Sequence, residues 1–205
     1  MNEINEWALH TAEMLLKDKD PDKLGMFKWE QANSEVLKVV HAEIFSGVTK
    51  VCVVPRYFDW VVKFDIYLPK RRDYCQLEAE YYADAKREGL ETYFAQTYEV
   101  GIVYGRAVCI QEKVRCNEDD ITSDFMDYVR TVLPESEFEN EDEYCDEVWD
   151  QVESMDTIDH LQAIFGENID RLIEFVEDHQ INDLHAGNWG YTQNGLTVIV
   201  DFSGY

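Results

Sequence analysis

The sequence predicts an α+β fold, with helices around one antiparallel sheet and a small hairpin at the C-terminal end. Three observations predict it. Residues 3–17 (EINEWALHTAEMLLK) carry apolar side chains at helical spacing. Between residues 36 and 66, and again between 98 and 114, the texture turns to β-branched and aromatic runs separated by turn signals. From Asn117 onward, acids are interrupted by apolar residues at helical spacing until the chain reaches Ile181.

Taken in order, Ile4, Trp7, Ala8, Met14 and Leu15 form the stripe of the first helix, which Pro21 and the charges before it end. Phe27 and Trp29 lie in a segment with no clear period. Val36–Phe45, Lys50–Val54 and Trp60–Ile66 read as a meander of three strands, with turns at 46–49 and 55–59. Residues 73–88 read as a helix, with Asp73 as N-cap and Gly89 as its stop. Tyr98–Tyr104 and Arg106–Val114 supply two more strands around Gly105. Asn117–Asp159 is expected to hold one or two acidic amphipathic helices joined by a connector containing Pro134. Leu161–His179 reads as a helix after an interruption at Gly166. The last stretch, Ile181–Tyr205, reads as a loop, a strand, a two-residue Asn194-Gly195 turn and a second strand ending at Asp201.

That last stretch carries the chemistry. Asp183 is followed five residues later by Asn188, and thirteen further on by Asp201, at the end of an apolar run. Two carboxylates and an amide are thereby brought to one end of a hairpin. Hard oxygen donors of this kind suit Mg²⁺, and a carboxylate beside them suits the orientation and deprotonation of a hydroxyl. At these residues the chain resembles the protein kinase-like superfamily. Asp183-x-x-x-x-Asn188 resembles its catalytic loop and Asp201-Phe202-Ser203 its Asp-Phe-Gly motif. The Asp-Leu-His-x-x-Asn wording is similar to that of aminoglycoside-phosphotransferase-like and small phage or bacterial kinase-like proteins.

The resemblance implies a two-lobed fold. Residues 1–115 would form an N-terminal helix and a sheet lobe, and 116–205 a truncated, mostly helical acidic lobe with the catalytic loop and metal-binding hairpin. It implies ATP and Mg²⁺ as ligands, and an ATP-dependent phosphotransferase acting on an unknown acceptor. Asp183 would position the acceptor, and Asn188 and Asp201 would hold the metal. Lys63, within Val61-Val62-Lys63-Phe64, would grip phosphate. A lysine in an apolar strand needs a partner, unless it lies on the exposed face of an edge strand. Glu78 shares a face with Cys75, Tyr82 and Ala85, whereas Glu80 lies with Ala83, Asp84 and Arg87, so Glu78 is the expected partner. The turn at 46–49 has no G-x-G-x-x-G. It is either an ordinary hairpin turn or a phosphate cover using Gly47, Thr49 and Lys50. The resemblance alone puts the adenine-binding backbone at Gln111–Val114, with Glu112 and Val114 as contacts. His185 either reaches the transferred phosphate or stabilises its own loop.

Composition bounds the partners. The net charge of −25 opposes binding to nucleic acid. Residues 117–159 hold seventeen acids against one base, Arg130. This segment is either a solvated face or a docking surface for a basic protein. Accordingly the alternatives to an enzyme are a kinase-like binding or inhibitor protein, and an acidic mimic of nucleic acid. Five cysteines without a C-x-x-C pair, an acidic start at Met1-Asn2-Glu3 and no apolar run of membrane length lead to the expectation of a cytoplasmic protein with reduced thiols and no membrane contact.

Overall fold

The computed structural model describes residues 2–47, 49–68 and 73–203. The chain divides into two compact units, Met1–Lys113 and Val114–Tyr205.

The first unit is built on a five-stranded antiparallel sheet. Its elements are α1 (Asn2–Leu16), α2 (Pro21–Leu24), α3 (Met26–Val40), β1 (Ala42–Ser46), β2 (Lys50–Pro55), β3 (Trp60–Asp65), α4 (Tyr74–Glu88), β4 (Thr97–Val103) and β5 (Arg106–Glu112). The sheet order is β1-β2-β3-β5-β4. Strand side chains alternate between faces, and here the register aligns that alternation across three strands. Val51, Phe64 and Val108 stand in one row, and Val53, Val62 and Ile110 in another. This face is apolar and is covered by Ile4, Ala8, Ala12, Leu15 and Leu16 of α1 and Trp29 of α3. Trp29 meets Phe64 edge-on with centroids 6.1 Å apart. The opposite face carries the intervening residues: Lys50 opposite Asp65, then Cys52, Lys63 and Cys109 in one row. It is polar, yet Lys50, Lys63, Asp65, Cys109 and Gln111 are all buried.

One expected strand is mostly helix. Val36–Val40 belongs to α3, and only Ala42–Ser46 is β. Trp29, Asn33, Val36, Leu37 and Val40 recur at helical spacing and outweigh the β preference of the three valines. Buried Asn33 then ties the helices together, donating to the carbonyls of Leu15 (3.1 Å) and Trp29 (3.1 Å). Asp73 does cap α4, accepting from Gln76 N–H, and Gly89 stops the helix in the left-handed region.

The second unit holds α5 (Glu118–Val132), α6 (Glu141–Ser154), α7 (Thr157–Phe165) and α8 (Asp170–Asp178), then β6 (Trp189–Tyr191) and β7 (Thr197–Ile199). The expected interruption is at Gly166, which at φ 79° turns the chain out of α7, and α8 after it carries the predicted stripe of Leu172, Phe175 and Val176. Phe125 and Phe165 pack against buried Trp189, at 6.3 and 5.6 Å between centroids. The β6–β7 connection is also longer than expected. Tyr191 pairs with Thr197, and Thr192 N–H donates to Leu196 O, so Gln193-Asn194-Gly195 forms the loop. Gly195, at φ 78°, takes the left-handed position that closes such a loop. Among the described residues, no helix is long and apolar enough to cross a membrane.

Candidate functional site

Each unit contains one half of the predicted set. In the first, α4 lies over the polar face of the sheet and brings Glu78 to it. The Glu78 carboxylate is fully buried and accepts from two ammonium groups, Lys63 Nζ at 2.6 Å and Lys50 Nζ at 2.7 Å. Lys63 also lies 3.5 Å from Gln111 Oε1, and Gln111 donates in turn to Thr97 Oγ1 at 2.9 Å. Glu80 is exposed. Lys63 is therefore a buried, paired lysine, not a surface residue on an edge strand. Lys50, read from the sequence with the preceding turn, is a second partner of the same carboxylate. The cause is the register of β2 against β3, which puts Lys50 and Lys63 on one face.

The helix that carries Glu78 is fixed at its first turn by two carboxylates. Asp65 accepts from Tyr74 N–H (2.7 Å) and Cys75 N–H (3.2 Å). Asp73 accepts from Gln76 N–H (3.2 Å) and from Ala107 N–H on β5 (2.7 Å). Orphan donors at the positive end of the helix are thereby satisfied. Burial, and then the charge of Asp73, raise the Asp65 carboxyl to about 6. Asp65, Asp73 and Cys75 stand close enough to share a cation. Here the carboxylates serve backbone N–H groups, and burial pushes the Cys75 thiol well above its usual range. Arg106 closes the cluster, donating to Asp65 O (3.0 Å), Ile66 O (3.0 Å) and Asp20 (2.7 Å).

Other predicted contacts of this unit lie outside the buried cluster. Gly47 N–H donates to Lys50 O, and Thr49 O accepts from Ile66 N–H, so both take part in the backbone pairing of a strand turn. Glu112 gives its backbone N–H to Gln96 O, and Lys113 gives its own to Asp59 O. Val114 begins the second unit, where its side chain fills the space above Gly190.

In the second unit, the loop after α8 is pinned by what surrounds Asp183. Ile181 and Leu184 are buried, and Trp189 Nε1 donates to Leu184 O at 2.8 Å. Asp183 is left with its side chain about one-third exposed (32%). Asn188 Nδ2 donates to the backbone carbonyl of Asp183 at 2.6 Å. A carbonyl only accepts, so this bond fixes which end of the amide is nitrogen and turns Oδ1 the other way. The backbone carbonyl of Asn188 accepts from Val200 N–H at 2.9 Å, which puts Asp201 at the next position along. Asn188 Oδ1 and the Asp201 carboxylate are thus hard oxygen donors of the type Mg²⁺ takes. Phe202, after Asp201, is fully buried and anchors that end of the chain. His185 Nδ1 accepts from Gly187 N–H at 3.1 Å, and its Nε2 is 3.9 Å from Asp183 Oδ1. It stabilises its own loop.

Asp183 also borders a depression of about 490 Å³ within the second unit, lined in part by Phe125, Trp149, Val152 and Met155. No family model, curated protein or solved structure matches this chain.

Proposed function

We propose that the protein is a kinase-like phosphotransferase that uses ATP and Mg²⁺. The observation that carries the reading is Asn188. One residue holds the Asp183 backbone through its amide nitrogen and Val200, beside Asp201, through its backbone carbonyl. The backbone that carries both carboxylates is thereby tied together through one residue, which supports catalysis by orientation. The buried Lys63–Glu78 pair and the sheet order β1-β2-β3-β5-β4, with α4 between β3 and β4, support the same reading.

In this reading Lys63, oriented by Glu78, binds nucleotide phosphate. Asn188 and Asp201 hold the metal, whose chemistry is to neutralise charge on the phosphates. Asp183 orients an acceptor hydroxyl. Its oxygen bonds to the γ-phosphorus as the bond from that phosphorus to the β–γ bridging oxygen breaks. ADP leaves with the bridging oxygen, and Asp183 takes the hydroxyl proton.

The test is incubation with γ-labelled ATP and Mg²⁺, alone and with a bacterial lysate. Transfer by the wild type, at least about a hundredfold reduced in Asp183→Ala with nucleotide binding retained, supports the reading. Equal labelling by the variant, or no nucleotide binding by the wild type, overturns it. Nucleotide binding without transfer favours the alternative of a kinase-like binding protein.

A further inference from the structure

We infer that the phosphate acceptor is a hydroxyl-bearing residue in a basic segment of another protein, and that an apolar side chain of that segment seats in the depression beside Asp183. The inference rests on the phosphotransferase reading and deepens it. The floor of the depression is apolar, formed by Phe125, Val152 and Met155, and Trp149 at its edge is 48% exposed. Its rim carries Glu153, Asp156 and Asp183. His160 also lines it, with its ring 4.6 Å from that of Phe125. Burial disfavours the charged form of His160. An apolar floor with an anionic rim suits an occupant that is apolar at one point and cationic around it.

The extent of the charge decides between a protein and a small cation. A small molecule in the depression meets only the three rim acids. The other fifteen of the seventeen acids of residues 117–159 would be out of its reach or nearly so, since α6 alone runs about 20 Å. The described acids of that segment are all exposed or half-exposed. Arg130, its one base, is paired with Asp127 at 2.9 Å. A field of that length acts on a partner long enough to span it, which a cationic polypeptide is. The space of about 490 Å³ takes one large side chain and part of its neighbours, with the hydroxyl residue presented at the wall where Asp183 stands.

The experiment compares synthetic peptides with one serine, threonine or tyrosine and one leucine or phenylalanine, the other positions being all lysine or all glutamate. Labelling by the full-length protein with γ-labelled ATP and Mg²⁺ is followed with each, beside a set of small hydroxylated amines. The lysine peptides are expected to be labelled at least about tenfold more efficiently, with the advantage falling steeply as salt is raised. Asp150→Lys combined with Glu153→Lys is expected to remove most of that preference, and Trp149→Ala to raise KM with little change in kcat. Glu3→Lys, on α1, makes a charge change elsewhere and is expected to leave kcat/KM within about twofold. Equal labelling of lysine and glutamate peptides, or labelling of the small amines alone, overturns this inference while the phosphotransferase reading stands. No ATP consumption with any acceptor, lysate included, overturns both.

Discussion

Glu78→Gln is the sharpest perturbation of the buried cluster. The native carboxylate is completely buried and accepts from Lys63 at 2.6 Å and Lys50 at 2.7 Å, with both lysine side chains no more than 5% exposed. Glutamine keeps the shape and one acceptor oxygen, but it removes the charge and turns an amide N–H₂ towards one of two ammonium groups. Breaking a buried ion pair by deleting one partner costs about 3–5 kcal/mol, because the other charge stays behind. Here two charges stay behind, so a loss of at least about 3 kcal/mol is expected from the first unit. That corresponds to a fall in melting temperature on the order of 10 °C. Urea unfolding followed by tryptophan fluorescence measures it, since Trp29 is buried in this unit. Lys50→Met leaves Glu78 with Lys63, and its loss should be clearly smaller. Replacing all three by Leu and Met should recover much of the stability. A Glu78→Gln loss below about 1 kcal/mol would refute the reasoning, because it would mean that water screens the cluster.

Two further changes test other parts of the structure. The Asp65 carboxyl, ordinarily at 3.8, is raised to about 6 in the fold by burial first and by Asp73 second. A raised folded value contributes stability that is fully present below 3.8 and lost as pH rises through about 6. The stability of the wild type relative to Asp65→Asn should therefore fall by about 2–3 kcal/mol between pH 4 and pH 7, and parallel denaturation curves at the two pH values would contradict this. At Gly190, an added Cβ would lie 2.5 Å from Val114 Cγ2 and 3.3 Å from Val200 Cγ1. Gly190→Ala should cost the second unit about 1–3 kcal/mol, and an unchanged unfolding midpoint would show that the strand shifts freely.

How far the sequence reveals these features depends on whether their causes are local. The helix α4 is legible because its caps Asp73 and Gly89 and its row Cys75, Glu78, Tyr82 and Ala85 are all contiguous in the sequence, and Glu78 follows from that row. The Asp183–Asn188 loop is legible because Asn188 is tied to the backbone of Asp183 and of Val200, next to Asp201, through a single hairpin. By contrast, α3 hides behind three valines, and its helical stripe passes through Asn33, a polar residue whose burial makes sense only beside the Leu15 carbonyl of another helix. Lys50 stands next to a turn, and only the pairing of β2 with β3 shows that it shares a face with Lys63. The double carboxylate cap is missed for the same reason: Asp65 reaches Tyr74 and Cys75 from a different strand. The depression beside Asp183 draws on α5, α6 and α7 together, and no sequence window contains it.

Asn188 shows why some positions allow few residue types. In the proposed phosphotransferase it gives an N–H to the Asp183 carbonyl and also presents an oxygen, from a residue 8% exposed. A carboxylate supplies the oxygen but has no proton to donate, and would set a charge against a carbonyl. Serine and threonine can donate or accept, but their single oxygen cannot face both ways at this reach. Lysine and arginine donate only. Glutamine has both atoms, with one more methylene to fit into a loop already closed by Trp189 on Leu184. The structural bond to Asp183 and the oxygen proposed as a metal ligand thus belong to one amide, so the requirement that holds the loop together would also orient the group offered to a metal.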